Sequence, residues 1–226
     1  MDAFDQYANE YDFALARGLS LSGEDKDFFA RERVAWMAQQ LGRSGHAPKA
    51  ILDFGCGTGT TTPHLLALSP SIEVIGVDTS PNSIALARRQ YAQERVRFET
   101  PRDCRDAHAE LAYCNGVFHH IPPAERGDAL AFIRAALDTR GLFAFFDNNP
   151  WNPGTRWVMS RIPFDRDAIM LTAGDARRML TNAGFDILVT NYLFVFPRIL
   201  GSLRPLERYV SGLPLGAQYG ILCRRR

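Results

Sequence analysis

The sequence predicts a three-layer α/β/α sandwich around a seven-stranded, mainly parallel sheet. Three observations carry this. From residue 50 onward, short apolar runs alternate with segments of helical periodicity, and strands separated by helices need parallel crossovers. The first apolar run, Ala50–Phe54, passes straight into three glycines at every second position, Gly55, Gly57 and Gly59, and then into a helix. The chain has 226 residues, 46% hydrophobic and 23% charged, which suits one globular domain with a substantial core.

The elements follow in order. Residues 1–20 mix acids with Phe4, Tyr7, Tyr11 and Phe13, spaced like one helix face. Ser22 with Asp25 reads as a capping box for a helix carrying Phe29, Trp36, Met37 and Leu41, stopped by Gly42. After the turn at 55–59, a helix is predicted over Thr61–Leu68 and a second strand over Ile72–Val77. Ser80, with Pro81 at the first helical position, opens a helix to Tyr91. Strands are predicted at Val96–Glu99 and Leu111–Phe118. An amphipathic helix, Pro123–Leu137, ends near Gly141. Leu142–Phe146 is the fifth strand, Ala173–Ala183 a helix closed by Gly184, and Phe185–Phe196 and Gly216–Cys223 the last strands. No helix separates these two, so an antiparallel C-terminal edge strand is expected. The whole reads as a single domain. Residues 1–45 form a helical cap, 46–150 a cofactor-binding core, and 151–226 the acceptor-side half.

Net charge is +1, which argues against broad electrostatic capture of nucleic acid. The four cysteines, Cys56, Cys104, Cys114 and Cys223, have no CxxC spacing. The N-terminus MDAFDQYANEYD is unlike a secretory leader, and no apolar run approaches a membrane span. A cytoplasmic chain with free thiols, and no metal site, is the expectation.

The stretch Ile51-Leu-Asp-Phe-Gly-Cys-Gly-Thr-Gly59 is the chemically informative one. Glycines at the carboxyl end of a parallel strand let the chain turn sharply and let a ligand approach the main chain closely. The second strand ends in Asp78, 19 residues after Gly59, where a carboxylate can accept from both ribose hydroxyls. NAD also suits a glycine turn with this acid, but its fingerprint is GxGxxG or GxGxxA. Here Gly55-x-Gly57-x-x is followed by Thr60. Asp53, just before the glycines, is unwelcome to a pyrophosphate and suits a ligand bearing an ammonium and a sulfonium. S-adenosyl-L-methionine is such a ligand.

The successive motifs DFGCGTG, VIGVDTSP and NGVFHHIPP resemble those of class I, Rossmann-like methyltransferases that use S-adenosylmethionine. The likeness is strongest to the small-molecule branch with the ubiquinone-biosynthesis O-methyltransferases, and it covers roughly residues 50–150. It implies that Asp53, Gly55, Gly57 and Gly59 hold the methionine part and Asp78 the ribose. Cys56, Thr79 and Asn115 join the cofactor-contacting set by their places in these motifs. Tyr11 resembles a segment that closes over the methionine carboxylate. Family members carry an acid after the third strand to meet the adenine amino group. In ETPRDCRDAH the nearest is Asp103, with Asp106 behind it.

His119 and His120 follow the fourth strand at its carboxyl end. One is expected to face the cleft, since neighbours on an extended chain point opposite ways, either as a general base or as a contact to the cofactor backbone while the other hydrogen-bonds the loop. After the fifth strand comes Asp147-Asn-Asn-Pro-Trp-Asn-Pro153, in which Asn148, Asn149 and Trp151 are candidates for an acceptor wall. The function expected is methyl transfer to a small-molecule acceptor. A non-catalytic cofactor-binding subunit and a NAD-dependent oxidoreductase are the alternatives. The segment 197–214 interleaves Arg198, Arg204 and Arg208 with apolar residues. It reads either as a short helix packed on the sheet or as a surface for peripheral contact with anionic lipid or a greasy acceptor.

Overall fold

The computed structural model describes residues 23–104, 106–162, 165 and 167–226. The first described helix, α1 (Lys26–Ser44), is capped by Asp25, whose carboxylate accepts from the Phe28 amide at 2.8 Å. The predicted partner in a capping box, Ser22, lies outside the described residues. Gly42 does not stop the helix. The left-handed residue that does is Gly45, at φ 65°, and its amide returns to the carbonyls of Gly42 and Leu41.

The alternation then runs as expected: β1 (Ala50–Phe54), α2 (Thr62–Leu66), β2 (Glu73–Val77), α3 (Pro81–Tyr91), β3 (Val96–Glu99) and β4 (Ala109–Asn115). Ser80 caps α3 by accepting from the Ser83 amide at 3.1 Å, with Pro81 at its first turn. After these come α4 (Arg126–Ala136) and β5 (Leu137–Asn148), then α5 (Pro153–Arg161), α6 (Ala173–Asn182) and β6 (Phe185–Leu193). A 3-10 segment (Arg198–Leu206) leads into α7 (Glu207–Val210), and β7 (Gln218–Arg225) ends the fold. Two boundaries differ usefully from expectation. Helix α4 passes directly into β5, so the strand begins at Leu137 rather than Leu142. Strand β4 stops at Asn115, because Gly116 turns the chain at φ 69°.

The sheet order is β3-β2-β1-β4-β5-β7-β6. Strands β1 to β5 pair in parallel, and β7 runs antiparallel to both β5 and β6. The C-terminal strand is therefore antiparallel as expected, but it is not the edge. It inserts between β5 and β6, and β6 takes the outside. The connection from β6 back to β7 carries the 3-10 segment and α7.

Alternating strand residues feed two cores, as a sheet covered on both faces requires. On one face Ile51, Val74, Leu111 and Phe146 pack with Val34 and Met37 of α1 and with Ile84 and Ala87 of α3. On the other, Leu52, Ile75, Ala112 and Phe145 pack with Leu130 and Ile133 of α4 and with Ala176 and Leu180 of α6. All four cysteines are buried and free. Among the described residues no helix is long and apolar enough to cross a membrane. The order β3-β2-β1-β4 reverses direction between β1 and β4. At that switch the carboxyl ends of the strands open a crevice, and the glycine turn sits there.

Candidate active site

The three glycines of the turn have three different reasons to be glycine. All have positive φ: 74° at Gly55, 53° at Gly57 and 81° at Gly59. A Cβ on Gly55 would lie 2.2 Å from a methyl of Val117, and one on Gly59 would press on Tyr91, Phe98 and Ala87. These two are fixed by the fold. A Cβ on Gly57 would meet nothing within 4 Å among the described residues. Its open side is a cradle of the kind a bound ligand fills.

The turn is tied to β2 by backbone and by acid. The amides of Gly55 and Cys56 both reach the Val77 carbonyl, at 2.7 and 3.1 Å. Asp78 accepts from the Gly57 amide at 2.8 Å with one oxygen and from the Ser80 amide at 2.9 Å with the other. It thus stands half-buried at the tip of β2, where the ribose was expected, and also fixes the loop. Thr79 beside it is exposed. Cys56 is tucked beneath the turn, and burial pushes its thiol well above the usual range.

Asp53 is the site's buried charge. It is 2% exposed, and its Oδ2 has no hydrogen-bond partner among the described residues. Burial, then the Asp78 carboxylate, raise its pKa to about 7, while Arg33 pulls the other way. An unpaired buried carboxylate oxygen is costly unless a cation arrives to meet it. Arg33 was not singled out in the sequence. It comes from α1, is itself buried, and donates to the Tyr113 hydroxyl and to Gln218, each at 3.0 Å. Only the packing of α1 against the sheet brings this guanidinium over the strand tips.

A cleft of about 1060 Å³ opens beside the turn, over the ends of β4 and β5, and its lining does not include the turn's glycines, Asp53 or Asp78. Arg33 of α1 lines it together with Asn115, Gly116, His120 and Asn148 at and beyond the ends of β4 and β5, and Phe29, Trp36 and Phe194 form an aromatic wall. Phe29 and Phe194 meet edge to face at 4.9 Å. Val158, Met159 and Ile162 make an apolar floor on the α5 side. The Asn115 side-chain oxygen is buried here without a hydrogen-bond partner among the described residues.

The histidine pair is arranged differently from expectation. Because β4 ends at Asn115, His119 and His120 sit in a turn, and their rings converge to 4.1 Å instead of pointing apart. His119 is 3% exposed. Its Nδ1 bonds Asp147, and its Nε2 faces Asp165 at 3.9 Å. Burial disfavours its charged form, but the Asp147 and Asp165 carboxylates override this and raise its pKa to about 10. With Nδ1 bonded to Asp147 and a buried Nε2 turned toward Asp165, His119 faces a carboxylate rather than an acceptor, so the general-base expectation does not fit it. His120 reaches the cleft, with Nε2 at 3.3 Å from Asp165. Arg126 fastens the arrangement. It donates to the carbonyls of Phe118 and Ile121 and to that of Ile169, whose own amide bonds the His119 carbonyl.

The acceptor-wall residues divide. Asn148 lines the cleft, accepting from Gln218 at 3.0 Å. Asn149 is fully buried and donates to the carbonyls of Pro214 and Gly216, so it is a fastener between the β5 end and the return loop. Trp151 is 68% exposed and lies outside the cleft lining. Asn149 and Trp151 are thereby removed from the acceptor wall. Asp103 stands after β3, exposed, and accepts from the Thr100 hydroxyl at 2.7 Å. Tyr11 lies outside the described residues.

With this geometry in view, the comparisons agree on the fold. Residues 52–143 match a family model described as a methyltransferase domain. A trans-aconitate 2-methyltransferase of Methylobacterium nodulans is 35% identical over 100 residues, 42% of this chain and 37% of that protein. One from Mycobacterium sp. is 27% identical over 202 residues, 83% of this chain and 77% of its own length. The chain spans only 26–54% of the first curated relatives it matches. Among solved structures, an S-adenosylmethionine-dependent methyltransferase from Mesorhizobium loti superposes with TM-score 0.57 at 19% identity, covering 78% of this chain and 90% of that one. Residues 52–143 thus match a methyltransferase domain, and the strand order and the likeness to solved structures show the Rossmann-like fold that such enzymes share.

Proposed function

We propose that the chain transfers a methyl group from S-adenosylmethionine to a small-molecule acceptor. The observation that carries this is the open side of Gly57, set between the unpartnered Asp53 oxygen and the Asp78 carboxylate. The donor set suits this cofactor. Asp53 offers a carboxylate for its ammonium, Arg33 a guanidinium for its carboxylate, and Asp78 acceptors for its ribose hydroxyls. When bound, the cofactor supplies an electrophilic methyl group on a sulfonium. The chain's own work is then placement and exclusion of water. The aromatic wall and the apolar floor of α5 confine the acceptor, while Asn115, Asn148 and His120 present polar contacts at the strand tips. Relatives named trans-aconitate 2-methyltransferase support an acceptor of small-molecule size.

The test is incubation of a small-molecule extract with the chain and methyl-labelled cofactor, read by mass spectrometry. One or more labelled products are expected with the parent and a loss of labelling with Asp78→Ala, whose lost ribose hydrogen bonds are each worth about 1.5–3 kcal/mol. Cofactor binding with no labelled product in any extract would favour the non-catalytic subunit.

A finer reading, an apolar or lipid-linked acceptor met at a membrane surface, is supported by the return loop. Ile199 is 89% exposed and Tyr209 71%, with Leu206, Leu213 and Leu215 also exposed nearby. Arg204 is engaged, bonded to Glu24 at 2.8 Å and lying over the Phe28 ring. Arg198 and Arg208 are the exposed cations for anionic lipid. Flotation on anionic vesicles at low salt, weakened by salt and by replacing Arg198, Arg208 and Ile199 together, is the expected result. No flotation at low salt would remove the membrane contact and leave the methyltransferase reading intact.

A further inference from the structure

We propose that His119, His120 and Asp165 form a binding site for a divalent first-row transition-metal cation at the acceptor end of the cleft. Its place beside the acceptor rests on the methyltransferase reading, but the site itself rests only on geometry.

The sequence singles out the two histidines but not Asp165. Asp165 is 45 residues from His120 and belongs to the segment after α5, not to any strand tip. The fold delivers it. The amide of Ile169 bonds the His119 carbonyl at 2.7 Å, and Arg126 clamps both segments. One ligating atom from each of the three side chains then falls within 4.8 Å of the others. The Asp165 oxygen is 3.3 Å from His120 Nε2 and 3.9 Å from His119 Nε2. Ligands held about 2.0–2.2 Å from a zinc-sized ion lie roughly 3–4 Å from one another. The spacing therefore needs little adjustment to close on a cation.

Asp147 is a second, independent observation. It is fully buried at the end of β5 and bonds His119 at Nδ1. A ligating histidine typically gives its other ring N–H to a carboxylate, which fixes the tautomer and turns the second nitrogen toward the ion. Here that nitrogen is Nε2, the one facing Asp165. Asp147 is a positioning residue, and the Asn148 amide, donating to the same carboxylate oxygen at 2.7 Å, holds it in place.

The chemistry selects the ion. Two imidazoles and one carboxylate suit zinc, iron(II), cobalt or manganese better than magnesium or calcium, which prefer all-oxygen sets. Three protein ligands leave open coordination positions, the arrangement of catalytic rather than structural sites. His120 and Asp165 both line the cleft, so those positions face the space where an acceptor lies. The ligand class that would complete the site is an acceptor with a hydroxyl, carboxylate or adjacent pair of oxygens.

The experiment is titration of the chelator-treated full chain with Co²⁺ and Zn²⁺, followed by calorimetry and by the visible absorption of bound Co²⁺. The expected result is one tight site per chain, with the visible bands of a low-coordinate Co²⁺. His120→Ala should lower affinity at least ~100-fold, and Asp147→Asn about 10–100-fold, the scale for a lost outer carboxylate. Asp165→Asn should behave like His120→Ala; if it fails to fold, His120→Ala, near the cleft surface, still decides. Absence of saturable metal binding by the parent overturns the proposal, as does binding that His120→Ala retains unchanged. S-adenosylhomocysteine affinity is measured on the same parent samples. Cofactor binding without metal binding sinks this site alone, whereas loss of both in the parent sinks the methyltransferase reading too.

Discussion

Replacing Asp53 with asparagine should make the free chain more stable and the cofactor site nearly useless. In the folded chain the Asp53 pKa is about 7, against about 3.9 for an unstrained aspartate. A group with a raised folded-state pKa contributes stability at low pH that is lost as pH climbs from about 4 to about 7. At pH 8 the buried carboxylate therefore burdens the fold, by up to about 4 kcal/mol. Asn removes the charge at nearly the same volume. Allowing for relaxation around the site, Tm at pH 8 should rise by roughly 5–10 °C, and the gain should shrink toward pH 5. Cofactor affinity should fall about 100-fold or more, since an ammonium loses its buried partner. The parent's own affinity should weaken as pH drops below about 7, with proton release on binding there. Thermal melts and calorimetry across pH 5–8 check all three. Unchanged affinity in Asp53→Asn would mean that the methionine end binds elsewhere.

Gly57→Val should abolish cofactor binding while leaving the chain folded. Its Cβ would point into open space, so no neighbour is displaced. The backbone at φ 53° is strained for a β-branched residue, which costs about 1–3 kcal/mol locally. The valine methyls would then occupy the cradle. Gly55→Val is the contrast, because its Cβ would strike Val117 and disturb the turn itself. Circular dichroism should therefore separate the two variants, whereas cofactor titration should fail for both. A Gly57→Val chain that binds like the parent would show that the turn is not the ligand's seat.

Much of this was legible in the sequence because it is local. The strand–glycine–helix run, Asp78 at the tip of β2 and the Ser80–Pro81 cap are each written within a few residues, and the structure realises them. What was not legible depends on distant packing. Arg33 is one charged residue among many on α1 until that helix lies across Tyr113 and Gln218. The alternation of apolar residues in LAYCNGVF continues past Asn115, so nothing local announces that Gly116 ends the strand and turns both histidines inward. Asn149 and Trp151 look alike as loop residues beside Asn148. Only the return of 214–217 decides that Asn149 is a fastener and leaves Trp151 in solvent. The placement of β7 inside the sheet likewise depends on a non-local pairing with β5.

What occupies the glycine cradle decides between the two ligands a glycine turn suits. Titrating the purified chain with S-adenosylhomocysteine and, separately, with NADH by calorimetry puts the two ligands of a glycine turn in competition. The prediction is one S-adenosylhomocysteine per chain, with affinity falling below pH 7, and no heat from NADH. Saturable NADH binding at the turn, or no binding of S-adenosylhomocysteine at any pH between 6 and 8, would contradict it.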